Sequence, residues 1–211
     1  MIKYVFFDVS GTLLGKPSLF SEIEKALNAH GHFISPEDLK FKHKMLSEII
    51  HFPDRTDEQF YNKFNSDLLY LLGIVPETKI LTSIFKNCTY LPWERFEDTD
   101  ALRDFTLPIG IISNFNTTLK DKIQEFFGSI FSDVFVSEEL GVAKPNTEFY
   151  ERALERLSFR PNEILYVGDS IKLDLEPAQK LGIKTLIIDR DNFYPHLNSR
   201  ISSLRNLKDF I

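Results

Sequence analysis

A chain of 211 residues with 43% hydrophobic content, including twenty Phe, can bury a substantial aromatic-rich core as one domain or as a domain with an insertion. A net charge of −6 argues against a nucleic-acid or anionic-membrane surface, which needs clustered Lys and Arg, but leaves local phosphate binding open. The single cysteine, Cys88, excludes an internal disulfide framework and any multi-cysteine zinc site, fits a reducing compartment, and reads as a small buried hydrophobe. No signal-peptide pattern and no apolar stretch of membrane-spanning length stands out, so the expectation is a soluble, cytoplasmic protein with neither a nucleic-acid nor a membrane partner.

In chain order, Tyr4 to Phe7 are aromatic or β-branched without a polar interruption, the pattern of a strand buried on both faces. The strand stops at Asp8, and Gly11 supplies a turn position. Alone, Asp8 reads more readily as a turn or N-cap residue than as a nucleophile. After Leu14 the texture changes to amphipathic helices. Ser18 or Ser21 could cap the first, which runs toward Ala29 with Phe20, Ile23 and Leu27 on one face and ends near Gly31. Ser35-Pro36-Glu37-Asp38 starts a second helix, with Leu39, Met45, Leu46, Ile49 and Ile50 on its apolar side. Thr56-Asp57-Glu58 opens a third that Gly73 breaks, and Pro76-Glu77 a fourth. No strand pattern occurs there.

From Leu107 strands and helices alternate. The spacing predicts strands at 108–112, 133–136, 163–167 and 184–188, with helices at 117–127, 147–157 and 174–181 between them. Such alternation implies right-handed βαβ crossovers and a parallel sheet covered on both faces. The predicted fold class is therefore α/β: a doubly wound parallel sheet, residues 1–15 and 92–211, with an inserted all-helical unit, 16–91. The tail from Phe193, with Ile201, Leu204, Leu207 and Phe210, is expected to pack back on the core.

Asp8, Ser113, Asn114, Gly168 and Asp169 each follow a predicted parallel strand, so all should gather at one sheet edge, where open α/β sheets place ligands. Asp8, Asp169 and Asp174 would repel one another unless a cation sits among them, and such hard oxygen donors suit Mg²⁺. Lys144, in Gly141-Val142-Ala143-Lys144-Pro145, could supply a positive side chain. Taken singly, these residues also read as a helix cap at Ser113, a solvated charge at Lys144 and turn residues at Asp169 and Asp174.

Asp8-Val9-Ser10-Gly11-Thr12, Ser113-Asn114, Lys144-Pro145 with Phe149, Ala153 and Leu154, and Gly168-Asp169-Ser170 with Asp174 resemble the four ordered motifs of the haloacid dehalogenase-like hydrolases. The resemblance covers about residues 1–15 and 92–190, and the helical insertion falls where that family carries a C1-type cap. It implies that Asp8 attacks a phosphoryl group and becomes an aspartyl-phosphate. It also implies that Mg²⁺ is held by Asp8, the main-chain carbonyl of Ser10, Asp169 and Asp174, the last directly or through water. Ser113 and the main-chain N–H of Asn114 would bind a phosphoryl oxygen, and Lys144 would balance charge, paired with Asp174. The implied substrate is a phosphorylated small molecule, and the implied assembly a monomer or a homodimer through the cap.

Ser10 departs from the family pattern. Phosphatases of the family usually carry there a second Asp that protonates the leaving alcohol and then activates water, and a hydroxyl of high pKa does neither near neutrality. Metal binding is spared because the carbonyl belongs to the backbone. Four readings follow: a phosphatase with a good leaving group or an acid from the cap, where His30, His32, His43 and His51 are candidates; a slow or inactive protein that binds a phosphorylated ligand or partner; a 2-haloacid dehalogenase; or a phosphonatase using Lys40, Lys42 or Lys44. Family dehalogenases work without Mg²⁺ and usually lack the Gly168-Asp169 pair, and a charged helical run is usually a solvated face, so the last two rank lower.

Overall fold

The computed structural model describes residues 1–53 and 56–211. The chain divides into two compact units, Lys16–Glu94 and the pair of segments Met1–Gly15 and Arg95–Ile211. Among the described residues no helix is long and apolar enough to cross a membrane.

The helical unit contains α1 (Leu19–Ala29), α2 (Pro36–Ile49), α3 (Glu58–Leu71) and α4 (Thr78–Cys88). Ser35 caps α2 by accepting from Asp38 N at 3.1 Å, and Pro36 occupies the first turn, where its missing N–H costs nothing. At α3 the cap is Asp57, whose carboxylate accepts from Phe60 N at 2.7 Å. Ser18 precedes α1 with helical backbone and makes no side-chain cap bond. Ile23, Leu27, Leu39, Leu46, Phe64, Leu68, Ile80 and Ile84 bury one shared core. Ile49 departs from its expected apolar role: it ends α2 and is 70% exposed.

The α/β unit holds, among the described residues, β1 (Tyr4–Phe7), β2 (Ile109–Ser113), β3 (Asp133–Val136), β4 (Ile164–Gly168), β5 (Lys184–Ile188) and β6 (Arg200–Ile201) in one six-stranded sheet of order β3-β2-β1-β4-β5-β6. All pairings are parallel. The chain steps outward from β1 to β3, returns to β4 on the other side of β1, and steps outward again. The reversal therefore lies between β1 and β4, where a doubly wound sheet opens its crevice. Phe6 pairs with Tyr166 and Phe7 with Val167, so Asp8 and Gly168 leave the sheet side by side.

One sheet face buries Tyr4, Phe6, Ile112, Phe135, Phe149, Tyr150 and Tyr166 together. Tyr4 reaches across β2 to donate to Asp133 Oδ2 at 2.6 Å, and Gly110 leaves the gap: a Cβ there would collide with the Tyr4 hydroxyl. Helices α5 (Leu119–Phe127) and α6 (Thr147–Leu154) are shorter than their sequence patterns suggest. The segment expected to be one helix at 174–181 is instead a wide π turn, Ile171–Leu175, followed by α7 (Glu176–Lys180). Pro177 explains the break, because it has no N–H to offer the carbonyl of Leu173. The Tyr150 hydroxyl donates to that carbonyl instead, at 2.6 Å. The tail packs back in part, adding β6 beside β5 and burying Ile201, Leu204 and Leu207, whereas Phe210, expected to join them, is exposed. Two residues are too few for β6 to show a period.

Two titratable groups in the helical unit are partly buried. Cys88 is partly buried, and burial pushes its thiol up to about 11, leaving it an inert hydrophobe. His43 lies between the rings of Phe20 and Phe64, at 5.2 and 5.0 Å, and burial, with the nearby charge of Lys44, pushes its pKa down to about 4. That makes it a poor source of a proton near neutrality. The His30 ring pairs with the Ser83 hydroxyl at 2.8 Å.

Because the folded pKa of His43 is depressed, its neutral packing stabilises the protein fully above about pH 6.5, and the benefit is lost as pH falls toward 4. We expect the change in urea-unfolding free energy between pH 7 and pH 4.5 to differ between parent and His43→Leu by roughly 1–3 kcal/mol, the parent losing more at the lower pH. An equal pH dependence in parent and variant would refute it.

Candidate functional site

Alternation along β1 places Asp8 in line with Tyr4 and Phe6, at the end of a row packed against Tyr166. The chain then turns sharply: the N–H groups of Leu13 and Leu14 both donate to Val9 O at 2.9 Å, and Gly11 N donates to Leu14 O at 2.9 Å. Gly11 sits at φ +83°, and a Cβ at this position would collide with the Asp169 carboxylate. Glycine therefore serves both the turn and the close approach of the acid. Asp169 follows β4, and Asp174 lies in the π turn beyond it.

Carboxylate oxygens of Asp8, Asp169 and Asp174 all lie within 4.8 Å of one another. Lys144, 2% exposed, donates to Asp8 Oδ1 at 2.6 Å and to Asp174 Oδ1 at 2.7 Å, and Tyr166 OH lies 3.2 Å from its ammonium. The other oxygen of Asp174 accepts from Ser170 N at 3.0 Å. Gly168 leaves the space that Asp174 fills, since a Cβ there would overlap its carboxylate. The hydroxyl of Ser113 approaches Asp8 Oδ1 at 3.5 Å, the outer limit of a hydrogen bond. Asn114 clasps the main chain of Lys144: its Oδ1 accepts from Lys144 N at 2.7 Å and its Nδ2 donates to Lys144 O at 2.9 Å. Ser10 is exposed.

Burial raises the pKa of Asp8, as do the charges of Asp174 and Asp169, and Lys144 only partly offsets them. Burial by itself would lower Lys144, but Asp174 and Asp8 together override it and hold the ammonium well above its ordinary value. Three acids against one ammonium leave an excess of negative charge in a buried place, which a divalent cation would relieve. The donors are hard oxygens, and the same loop holds an orphan: Thr12 Oγ1 is buried with no hydrogen-bond partner among the described residues. The carboxylate cluster fits a small oxygen-seeking cation such as Mg²⁺. At Asp174 much of the lone-pair capacity is already taken by Lys144, Tyr166 and Ser170 N.

Thus the residues singled out from the sequence, Asp8, Ser113, Asn114, Lys144, Asp169 and Asp174, converge on one edge of the sheet. Sequence reasoning passed over Tyr166 and Tyr150, which it placed only within a strand and a helix, the side-chain clasp of Asn114, and Arg190. A tyrosine two positions before Gly168, on the strand face of Asp8, was the available signal for Tyr166.

The model of the haloacid dehalogenase-like hydrolases matches residues 2–182. The glyceraldehyde 3-phosphate phosphatase of Methanocaldococcus jannaschii is 27% identical over 228 residues, covering 100% of this chain and 97% of the relative. The magnesium-bound structure of the HAD-hydrolase YfnB of Bacillus subtilis superposes with TM-score 0.68 at 19% identity, covering 99% of this chain and 98% of that one. The L-2-haloacid dehalogenase of Xanthobacter autotrophicus superposes with TM-score 0.63 at 20% identity, covering 100% and 98%. The two structural likenesses bear on the fold alone.

If the Asn114 clasp orders the Lys144 loop, Asn114→Ala should lower unfolding free energy by about 1–3 kcal/mol, the cost of leaving the two main-chain groups unmatched. Urea titration checks this, and a change under about 0.5 kcal/mol, the range of an ordinary surface substitution, would refute it.

Proposed function

Because this chain belongs to the haloacid dehalogenase-like hydrolases, with residues 2–182 matching their model, we propose that it is a Mg²⁺-dependent phosphatase of a small phosphorylated metabolite, acting through an aspartyl-phosphate on Asp8. The observation that carries the reading is the joint placement of three carboxylates and one buried ammonium: Lys144 bridges Asp8 and Asp174, and Asp169 lies in the same cluster. Among substrates, a triose phosphate is the first to test, since relatives over the chain's length are named glyceraldehyde 3-phosphate phosphatases.

In this mechanism an Asp8 carboxylate oxygen attacks phosphorus, the bond from phosphorus to the substrate oxygen breaks, and an acyl phosphate forms on Asp8. Lys144 holds Asp8 in place and offsets the charge that gathers on the transferring group. The Ser113 hydroxyl and the Asn114 main-chain N–H bind a phosphoryl oxygen. Water then attacks phosphorus, releasing phosphate and restoring the Asp8 carboxylate. Asp8, Asp169 and the Ser10 carbonyl would hold Mg²⁺, with Asp174 behind them, and the ion would supply charge neutralisation for the phosphoryl oxygens. Asp174, with Tyr166, keeps the Lys144 ammonium charged and aimed at Asp8.

Ser10 supports a second reading. The departing alkoxide and the attacking water lack the carboxylic acid that relatives of this kind usually carry at that place, which costs about 10²- to 10⁴-fold in rate. A protein this slow could serve chiefly to bind a phosphorylated ligand. The Gly168-Asp169 pair weighs against a metal-free dehalogenase.

With Mg²⁺ present, turnover of glyceraldehyde 3-phosphate and of an aryl phosphate should fall at least about 10³-fold in Asp8→Asn. No turnover of any phosphate ester by the parent protein would favour the binding role. Ser10→Asp should raise alkyl phosphate turnover by about 10²- to 10⁴-fold if the missing acid limits the rate. A fall would mean that Ser10 suits a different leaving group.

A further inference from the structure

The loop that follows Asp8 is gripped from outside the acid cluster by Arg190, two residues past the end of β5. Its guanidinium donates to Gly11 O at 3.0 Å and to Thr12 O at 2.9 Å. It also pairs with both oxygens of Asp98, at 3.0 Å through Nε and 2.8 Å through Nη2, and lies 4.0 Å over the Phe96 ring. Asp98 is itself fixed by Leu204 N at 3.0 Å. A planar fork with two main-chain carbonyls on one side, a bidentate carboxylate on the other and an aromatic face beneath has little freedom to move.

This grip sorts the carbonyls of the loop. Val9 O accepts from the N–H groups of Thr12, Leu13 and Leu14, and Gly11 O and Thr12 O go to Arg190. Ser10 O accepts no hydrogen bond among the described residues. Of the four carbonyls from Val9 to Thr12, only that of Ser10 is left to serve a ligand. In the same loop, the Gly11 Cα is pressed so close to Asp169 that a Cβ would collide with the carboxylate.

We propose that Arg190 is a positioning residue for the metal site: by drawing the carbonyls of Gly11 and Thr12 to itself, it leaves Ser10 as the free carbonyl donor of the stretch from Val9 to Thr12 and holds the loop against Asp169. The inference rests on the Mg²⁺ reading above and adds to it a residue that touches neither the ion nor the substrate. A carbonyl donor set from the backbone's far side works whatever side chain stands at position 10.

The test is Mg²⁺ alone, titrated calorimetrically into the folded full-length protein, with the midpoint of thermal unfolding in the absence of metal as the control for folding. Arg190→Met should weaken Mg²⁺ binding by about 10- to 100-fold, the usual cost of removing a group that orients a metal donor. Arg190→Lys, which keeps the charge but loses the fork, should recover only part of that, and Asp98→Asn, which loosens the fork's anchor, should weaken binding less than Arg190→Met does. Kd values of folded Arg190→Met within twofold of the parent would overturn the proposal, even if the unfolding midpoint falls. Should Arg190→Met fail to fold, the same criterion applied to Arg190→Lys decides. A parent protein that takes up no Mg²⁺ would refute the metal reading itself and this inference with it, whereas a parent that binds beside variants that bind equally well would refute only the role of Arg190.

Discussion

A lysine ammonium with 2% of its side chain exposed, held between the carboxylates of Asp8 and Asp174, is the constraint around which the α/β unit is built. Taking an ammonium out of water costs several kcal/mol, and the cost is offset only where partners are close and well oriented. Removing one partner of such a pair would leave a buried charge uncompensated, so the surroundings have to fix all three groups at once. Gly168 gives Asp174 its space, Ser170 N and the Tyr166 hydroxyl orient it, and Asn114 holds the Lys144 main chain by both of its polar groups. These supports come from β2, β4 and the loops after them, which is why a parallel sheet suits the site: its strand ends bring distant segments to one edge.

The same arrangement divides the site's capacities unequally. Charge is abundant and rigidly placed, which favours binding a cation and, beside it, an anionic group. Proton transfer is poorly provided. The only side chain that the loop offers at the position of the usual acid is the Ser10 hydroxyl. On the proposed reading, in which the donor at position 10 is a main-chain carbonyl, assembly of the metal site would be indifferent to the exchange there. The chemistry of the leaving group is not. A hydrolase with this balance would favour substrates whose leaving oxygen needs little help.

The aromatic content serves the site as much as the core. Tyr4, Tyr150 and Tyr166 are buried with their hydroxyls matched to Asp133, Leu173 O and the Lys144 cluster. Each ring contributes packing area along one face of the sheet, and each hydroxyl settles a polar group that folding would otherwise strand. Burial holds the Tyr150 and Tyr166 hydroxyls protonated, with pKa values well above the ordinary tyrosine range, so they act as fixed donors and acceptors rather than as acids.

By itself the sequence determined the elements and their order. Strand periods located 133–136 and 184–188 to the residue, caps at Ser35 and near Asp57 announced helices, and parallel strands ending in Asp8, Ser113 and Gly168-Asp169 had to bring those residues to one edge. These are local patterns, and hydrophobic alternation writes them into consecutive residues. Only the tertiary structure decided that Tyr166 belongs to the Lys144 cluster, that Asn114 turns its amide to the Lys144 backbone, that Pro177 and Tyr150 together open a π turn, and that Arg190 reaches the carbonyls of Gly11 and Thr12. Each of those is a pairing between side chains and backbone groups far apart in the chain. No period or spacing encodes such a pairing, because it exists only once the sheet has brought its partners within hydrogen-bond reach.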